Sequence, residues 1–397
     1  MSNVECSVRP SRAELGLDAR VDAVLEQALS ERRLVGAVVL VAKDGAPAYR
    51  RAAGWADREA GVPMREDALF RLASVSKPIV STAAMALAAR RRLDLDEDIA
   101  RWLPEFRPRL ADGTPARITP RQLLSHTAGL GYRFFEEDGD GPYARAGVSD
   151  GMDADGLSLA ENLRRIASVP LLYPPGQSWG YSLATDVLGA LVERVADEPL
   201  PQAVRRWVTA PLGMDDTDFH ALAPQRLAAI YVNGQAEPWR MEQPAIVAPF
   251  EGTVGIRFAP QRALDAGAYP SGGAGMVGSA DDLLRLLEAL RQGGAPLLPP
   301  EWVDEMGRNH TGTQELPEMP GFGFGLGFSV LRDPAAAASP ESPGTWRWGG
   351  AYGHSWFVDR ARGLSVVAFT NTLYEGMSGR FVSDLRDAVY GVEPRLQ

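Results

Sequence analysis

Lysine occupies only two positions in this sequence, and one of them, Lys77, follows a serine at helical spacing in the run Ser74-Val75-Ser76-Lys77. The chain has 41 lysine and arginine residues together, so 39 of them are arginine and a lysine is not its routine positive charge. Arginine cannot lose its proton in a protein, whereas a desolvated lysine can and then serves as a general base. Residues three apart on a helix share a face, which would place the Lys77 amine beside the Ser74 hydroxyl. We therefore predict that Ser74 is an activated nucleophile and that Lys77 belongs to its base.

Two other interpretations of this run are weaker: a chance occurrence of the motif, and Ser76 as the nucleophile. An S-x-x-K run can arise by chance on an exposed helix, but the scarcity of lysine argues against chance here. Ser76 also carries a hydroxyl, yet one residue from Lys77 it would face away from the amine on a helix. The second lysine lies in Lys43-Asp44-Gly45, between two apolar runs, which is typical of an exposed hairpin turn.

A tyrosine and a glycine-rich strand end could complete the chemistry. Tyr181 follows the irregular segment 174–180, which would present its phenol at a loop edge, where it could share a proton with Lys77 and pass it to a leaving group. The alternative is a buried tyrosine with a satisfied hydroxyl. In the segment 346–354, Gly349 and Gly350 let the backbone approach a ligand, so an N–H at this strand edge could stabilise an oxyanion. The alternative is a glycine-rich bulge flanked by core tryptophans.

A second serine motif, G-x-S-x-G, occurs at residues 147–151 with Ser149 at its centre. In α/β-hydrolases this motif works on a strained turn from a strand into a helix. The flanking residues predict neither a strand before it nor a helix after it, so we predict a non-catalytic surface loop. His126 and His354 are predicted to make structural hydrogen bonds, since a serine–lysine–tyrosine mechanism needs no histidine.

Composition excludes several classes of function. Apolar residues make up 45% of the chain and charged residues 23%, the range of an ordinary globular protein, and the net charge of −10 argues against a nucleic-acid partner. No run approaches the ~20 apolar residues of a membrane span, and residues 1–15 lack the apolar core of a secretory signal. One cysteine, Cys6, excludes a disulfide framework, and the four histidines show no metal-ligand spacing. We expect a cytoplasmic protein with no membrane partner, no metal and no cofactor, acting on a small molecule as a monomer or weak homo-oligomer.

Hydrophobic periodicity predicts an α+β fold whose sheet comes from both ends of the chain. We predict helices over 17–33, 74–91, 159–166, 182–195, 200–208, 279–290 and 381–389, and strands over 35–42, 47–54, 345–348, 355–359 and 364–370. Residues 1–104 and 266–397 should form an α/β body with a central antiparallel sheet. Residues 105–265 should form a mostly helical domain, in which the long loops 131–158 and 232–266 wall a cleft.

The three motifs, in this order, resemble those of the serine β-lactamase and penicillin-binding-protein superfamily. Further runs are similar to its class C branch, namely 123–130, 211–214 and 272–276, and the resemblance extends from about residue 18 to 392. It implies a β-lactamase-like fold with an antiparallel sheet flanked by helices and a mostly helical inserted domain.

The sequence departs from the class C motifs at two places, and these departures indicate the subfamily. Tyr181-Ser182-Leu183 stands where class C β-lactamases have Tyr-x-Asn, and Trp348-Gly349-Gly350 stands where they have Lys-Thr-Gly. Both changes remove polar groups that would hold the amide and carboxylate of a β-lactam or peptide. The combination is similar to the family VIII carboxylesterases, β-lactamase-like serine esterases of the EstB type.

That resemblance implies a role for each motif. Ser74 would be the nucleophile, with Lys77 and Tyr181 as the base system. The backbone N–H groups of Ser74 and Ala351 would form the oxyanion hole. We expect substrate to contact Trp348, Gly349 and Gly350 at the strand edge, and Tyr132 and Phe134, or Phe135 in its place, on the facing loop.

The expected reaction is hydrolysis of short-chain carboxylic esters through an acyl-enzyme on Ser74. Three alternatives stay open. A β-lactamase or D-stereospecific amidase or peptidase would use the same nucleophile on amides. An acyltransferase of the same fold would pass the acyl group to an alcohol, and a sensor would keep the fold without turnover.

Overall fold

The computed structural model describes residues 15–234 and 236–393; the predictions for Cys6 and for residues 1–14 lie outside these ranges. The strands are β1 Gly36–Lys43, β2 Ala46–Asp57, β3 Val62–Pro63, β4 Phe70–Arg71, β5 Tyr231–Val232, β6 Trp239–Arg240, β7 Ala245–Val247, β8 Ile256–Phe258, β9 Val277–Gly278, β10 Phe322–Phe324, β11 Ser329–Leu331, β12 Trp346–Gly350, β13 His354–Asp359 and β14 Leu364–Thr370. The helices are α1 Leu17–Ser30, α2 Ser76–Ala89, α3 Pro120–Leu124, α4 Pro142–Arg145, α5 Leu159–Ser168, α6 Ala184–Ala196, α7 Leu200–Val204, α8 Ala210–Leu212, α9 Ala280–Arg291, α10 Pro300–Gly307, α11 Glu375–Ser378 and α12 Arg380–Tyr390.

An antiparallel sheet of eight strands joins the two ends of the chain, as predicted. Its order is β10-β11-β12-β13-β14-β1-β2-β3, and β14 pairs with β1 over seven residues from Ala37↔Thr370 to Lys43↔Leu364. The turn between β1 and β2 contains Asp44 and Gly45 at φ 52° and 88°, and Lys43 is exposed beside it. This is the hairpin predicted around the second lysine.

The sheet is covered on both faces, which explains why β1 is apolar almost throughout. Val38 and Leu40 belong to the larger hydrophobic core, which also contains α2, α6 and α9. Their neighbours Val39 and Val41 point to the opposite face and pack with residues of α1 and α12. Alternation of side chains along a strand produces this division. The predicted fold class is therefore observed.

Helix α2 lies at the centre of the larger core, and every residue from Ser76 to Ala88 is buried. It packs chiefly on α6, and Gly189 of α6 leaves room for Leu200 of α7, which a side chain at that position would meet. A helix that is buried on all sides carries little amphipathic signal, so its depth could not be read from periodicity.

Several element boundaries differ from prediction. The predicted helix 200–208 is α7 followed by a single π-helical segment, Arg205–Thr209. Helix α10 was not predicted, because its short run begins among three prolines and glycine-rich residues. The segment 231–258 contains the short strand pairs β5–β6 and β7–β8 in place of an unstructured loop.

Candidate active site

Ser74 lies in a tight 3₁₀ turn, Ala73–Val75, that connects strand β4 to helix α2. We predicted that the helix would begin at Ser74, but α2 begins two residues later, at Ser76. Ala73 adopts φ 45°, a left-handed conformation that costs free energy for a residue with a Cβ atom. The turn leaves the Ser74 side chain partly exposed while the residues on both sides of it are buried.

Lys77 is fully buried in the first turn of α2 and directs its amine back toward Ser74. Its Nζ lies 3.2 Å from Ser74 Oγ, 3.0 Å from the Tyr132 hydroxyl and 2.8 Å from the Gly273 carbonyl oxygen. Three acceptors match the three N–H bonds of an ammonium group. The lysine is therefore held in one orientation, with one of its contacts on the serine.

Tyr181 is the second polar side chain in contact with the serine. Its hydroxyl lies 2.6 Å from Ser74 Oγ, and Lys77 Nζ lies 4.6 Å from the centre of its ring. The ring is held edge-on by Trp348 at 5.2 Å and tilted against His126 at 5.0 Å. The predicted alternative of a tyrosine with a purely structural hydroxyl does not describe this position, because the hydroxyl's partner is Ser74.

The end of strand β12 lies against the Ser74 turn. A side chain at Gly350 would overlap the Leu72 carbonyl oxygen and approach Val75 Cγ2 to 3.2 Å, so only glycine permits this contact. Gly349 is partly exposed, and Ala351 follows directly in the turn to β13 and is 5% exposed. Trp348 is partly exposed and packs edge-on against Phe324 and Tyr181. The strand edge therefore borders the serine, as the glycine pair predicted.

The two residues predicted on the facing loop, Tyr132 and Phe134, are almost fully buried. Tyr132 is 4% exposed and hydrogen-bonds Lys77, so it belongs with the lysine. Phe134 is 5% exposed and stacks on Tyr132 at 4.4 Å. Its neighbour Phe135 is 37% exposed and stacks on Phe250, which is 46% exposed. Phe135 and Phe250 therefore provide the accessible aromatic surface on this side of the site.

Burial governs the electrostatics around Lys77. It raises the pKa of Tyr132 well above its ordinary value, and negative charge from nearby acidic groups adds to the effect. Burial also raises the pKa of Asp186 to about 6, against the opposing influence of Ser271 and Lys77. The pKa of His126 is lowered well below its usual range, first by burial and then by the charge of Lys77. His126 is therefore neutral at physiological pH.

The G-x-S-x-G segment is not a surface loop, and that prediction is wrong. Ser149 is 0% exposed; its hydroxyl donates to Asp153 Oδ1 at 2.5 Å and lies 3.0 Å from the Tyr269 hydroxyl. A polar cluster that satisfies its own hydrogen bonds can be buried, which the sequence did not reveal. The segment follows the four-residue helix α4 and is not a strand-to-helix turn, as expected.

Both predicted structural histidines make hydrogen bonds. His126 Nδ1 lies 3.1 Å from Ser182 Oγ, and His354 Nε2 lies 2.8 Å from the Arg71 carbonyl oxygen. Each joins a segment of the site to another part of the chain. Ser182 follows Tyr181 directly, and Arg71 precedes the Ser74 turn.

Three residues around Lys77 were not anticipated as its neighbours, namely Tyr132, Asp186 and Gly273. Only Asp186 carries a signal in the sequence, because it interrupts the apolar run of α6 at Leu183-Ala184-Thr185-Asp186-Val187-Leu188. A carboxylate in a buried helix face requires a partner or a function. Tyr132 and Gly273 come from loops whose convergence only the tertiary structure decides.

Comparison with known proteins identifies the family. The Beta-lactamase family is matched over residues 21–390, which includes every residue of this site. Esterase EstB from Burkholderia gladioli is 56% identical over 375 residues, which cover 94% of this chain and 95% of that protein. The chain belongs to the β-lactamase family. Within that family it is of the EstB type, which confirms the resemblance drawn from the motifs.

Solved structures of the family agree with the fold. EstCE1, described as a hydrolase with promiscuous acyltransferase activity, is 49% identical, and its TM-score of 0.92 spans 94% of this chain and 98% of that one. A mutant of the simvastatin synthase LovD from Aspergillus terreus is 22% identical with a TM-score of 0.75 over 97% of this chain and 98% of that one, a likeness of fold alone. The predicted β-lactamase-like fold is confirmed.

Proposed function

We propose that this member of the β-lactamase family is a carboxylesterase that hydrolyses short-chain esters through an acyl-enzyme on Ser74. The observation that carries the proposal is the position of Ser74 Oγ, 2.6 Å from the Tyr181 hydroxyl and 3.2 Å from Lys77 Nζ. Ser74 and Tyr181 are partly exposed, whereas Lys77 is fully buried. A substrate can therefore reach the nucleophile, and the amine is kept from water.

In the active form, the Tyr181–Lys77 pair has lost one proton. It is then either a phenolate beside an ammonium group or a phenol beside a neutral amine. As Ser74 Oγ attacks the ester carbonyl carbon, its proton moves onto this pair, a new C–O bond forms and the carbonyl π electrons move to oxygen. Collapse of the tetrahedral intermediate breaks the bond to the alcohol oxygen, which takes the proton and leaves. Water then attacks the acyl-enzyme by the same steps, releasing the carboxylic acid and restoring the Ser74 hydroxyl.

The negative charge on the carbonyl oxygen needs donors that are already in place. We assign this role to the N–H groups of Ser74 and Ala351, because the end of β12 lies against the Ser74 turn at Gly350. A donor of this kind often contributes about 3 kcal/mol to the stability of the transition state. The contact at Gly350 would fix the distance between the two donors.

The site borders suit small apolar esters. Trp348 replaces the lysine that would bind a carboxylate, and Leu183 replaces an asparagine that would bind an amide. We propose that Trp348 and Phe135 line the pocket for a short acyl group or a small aromatic alcohol. Phe134 and Tyr132 would support this wall from behind, since both are almost fully buried.

Acyl transfer to an alcohol is a second candidate, because it uses the same acyl-enzyme. Phe135 and Phe250 present a stacked apolar surface at the border of the site, where an alcohol could compete with water. The description of EstCE1 as having promiscuous acyltransferase activity supports this candidate. Product analysis in the presence of a simple alcohol separates the two outcomes, since transfer yields a new ester and hydrolysis yields only acid.

The test compares two serines. The wild type and the variants Ser74→Ala and Ser149→Ala are assayed with p-nitrophenyl acetate and nitrocefin, and a phosphonate adduct is located by peptide mass. We expect one adduct on the Ser74 peptide, no ester turnover in Ser74→Ala, and nearly wild-type turnover in Ser149→Ala. An adduct on Ser149, or nitrocefin turnover faster than ester turnover, would contradict the proposal.

We also propose a location, an oligomeric state and a division into domains for the protein. No helix in the described residues is long and apolar enough to cross a membrane. We propose a cytoplasmic enzyme that acts on a small-molecule ester as a monomer or weak homo-oligomer. We propose further that residues 105–265 form a mostly helical second domain that packs on the body, 1–104 and 266–397, through the core that α2 and α6 share. Sedimentation and limited proteolysis test the oligomeric state and the domain boundaries.

A further inference from the structure

Asp186 is a fully buried acid in helix α6 whose carboxylate is not hydrogen-bonded within the part of the chain that the structure describes. Its side chain has 0% exposure, and neither carboxylate oxygen has a hydrogen-bond partner among those residues. The Ser271 side chain and the Gly273 backbone lie near enough to lower its pKa, although neither makes a hydrogen bond of standard geometry to it. A buried, unsatisfied carboxylate is costly, and such groups are concentrated at functional sites.

The carboxylate lies next to the Lys77 amine. A methyl group built on Gly273 would lie 2.8 Å from Asp186 Oδ2 and 3.5 Å from Lys77 Nζ, so both groups border the same small space. The Tyr132 hydroxyl borders it as well, at 3.4 Å. Asp186 and Lys77 are therefore on the order of 6 Å apart or closer, the range in which opposite charges alter each other's proton affinity.

Lys77 itself has no direct ion pair with any residue that the structure describes. Among the described residues, no carboxylate lies within 4.0 Å of its Nζ. Its three hydrogen bonds go to two hydroxyls and a carbonyl, which orient an ammonium group without neutralising it. A fully buried cation needs negative charge nearby, and Asp186 is placed to supply it.

We propose that Asp186 is a positioning residue that keeps Lys77 an ammonium group facing Ser74, so that Tyr181 is the member of the pair that takes the serine proton. This rests on the proposed function, since it assigns the proton within the same Tyr181–Lys77 pair. The shorter distance from Ser74 Oγ to Tyr181 than to Lys77 agrees with it. Asp186 itself touches neither substrate nor the serine.

Other titratable groups face this acid from every side of the site. Lys77 on α2 and Arg262, from the turn after β8, favour its charged form. Tyr132 on the facing loop and Tyr269 after that turn are phenols whose pKa values Asp186 helps to raise. Asp150 acts on Tyr132 in the same direction, and His126 is neutral. Arg262 is the competing partner, because it could be the cation that Asp186 serves.

The two-lysine composition makes the proposal directly measurable. Protein labelled with ¹⁵N at lysine Nζ has only two side-chain signals, from Lys43 and Lys77, and Lys43→Arg assigns them. In Asp186→Asn we expect the pH midpoint of the Lys77 signal to fall by about 1 to 3 pH units, because removing a nearby negative charge destabilises the ammonium form. The acid limb of the kcat/KM profile should move the same way, with kcat lower and KM near the wild-type value.

The matched control is Asp282→Asn. Asp282 is also a buried acid whose pKa burial raises to about 6, but it bonds Thr217 and the Asp216 backbone. The Asp282→Asn variant should leave the pH midpoint of the Lys77 signal unchanged. Asp186→Ser is the second variant if the asparagine variant does not fold, with the same downward displacement expected.

An unchanged Lys77 midpoint, within about 0.3 pH unit, in a folded Asp186 variant would overturn the proposal and leave Arg262 as the partner of the acid. The NMR titration uses no substrate. It can therefore fail while ester hydrolysis on Ser74 holds, and it can succeed if the proposed substrate class is wrong.

Discussion

Replacing Tyr181 with phenylalanine isolates one atom of the proposed base. The change removes the hydroxyl that lies 2.6 Å from Ser74 Oγ and keeps the ring that contacts Trp348 and His126. Lys77 remains at 3.2 Å from the serine. The variant should therefore keep its fold and its pocket and lose only the shorter of the two polar contacts of the nucleophile.

The magnitude follows from the role of the group. A positioned general base contributes about 10²- to 10⁴-fold, which corresponds to about 3 to 6 kcal/mol at about 1.4 kcal/mol per factor of ten. The cost to folding should be far smaller, about 1 kcal/mol for one lost hydrogen bond. Activity and stability are thus expected to separate clearly in this variant.

The assay is kcat/KM for p-nitrophenyl acetate across pH, with a thermal melt of each protein. Tyr49→Phe is the matched control, because its hydroxyl also makes a 2.6 Å hydrogen bond, to Asp22, in the core on the opposite face of the sheet. We expect a loss of 10²-fold or more for Tyr181→Phe and little loss for Tyr49→Phe. A Tyr181→Phe variant within a factor of about three of the wild type would refute the assignment of Tyr181 to the base.

Two further predictions concern the backbone contact and the buried acids. Gly350→Ala should reduce kcat by about 10²-fold or more, because the added methyl overlaps the Leu72 carbonyl oxygen and displaces β12 from the Ser74 turn; normal kcat in a folded variant would contradict this. Burial raises the pKa of Asp150 to about 7, above the ~4 of the unfolded chain, so ionising it destabilises the fold progressively between those pH values and fully above pH 7. Asp150→Asn should therefore raise the melting temperature at pH 8 and change it little near pH 4. An equal effect at both pH values would contradict the claim that the ionised form of Asp150 destabilises the fold.

Much of the fold was predictable because its elements carry strong local signals. Strand β14 was predicted with its observed limits, and α5, α6, α9 and α12 were predicted within three residues at each end. The Lys43 hairpin follows from turn chemistry alone. The short strands β5 to β8 could not be predicted, because two or three residues give no usable period.

In the candidate site, too, local contacts were predictable and long-range contacts were not. Ser74 and Lys77 are three residues apart, so their contact follows from helical geometry. The rarity of lysine indicated that this lysine has a function. The burial of Ser149 was missed, because it depends on Asp153 and on Tyr269, which is 120 residues away. A motif on its own cannot reveal partners at that separation.

The sequence by itself determined the nucleophile candidate, the lysine beside it, the order of the motifs and the family. Those features depend on residue types and on short separations along the chain. Only the tertiary structure decided that Tyr132 and Gly273 hold the amine, that Gly350 permits the approach of β12, and that Asp186 lies beside Lys77. Each of these contacts joins segments more than 50 residues apart. They exist because the sheet and helices α2 and α6 pack around one core, and local patterning does not specify such packing.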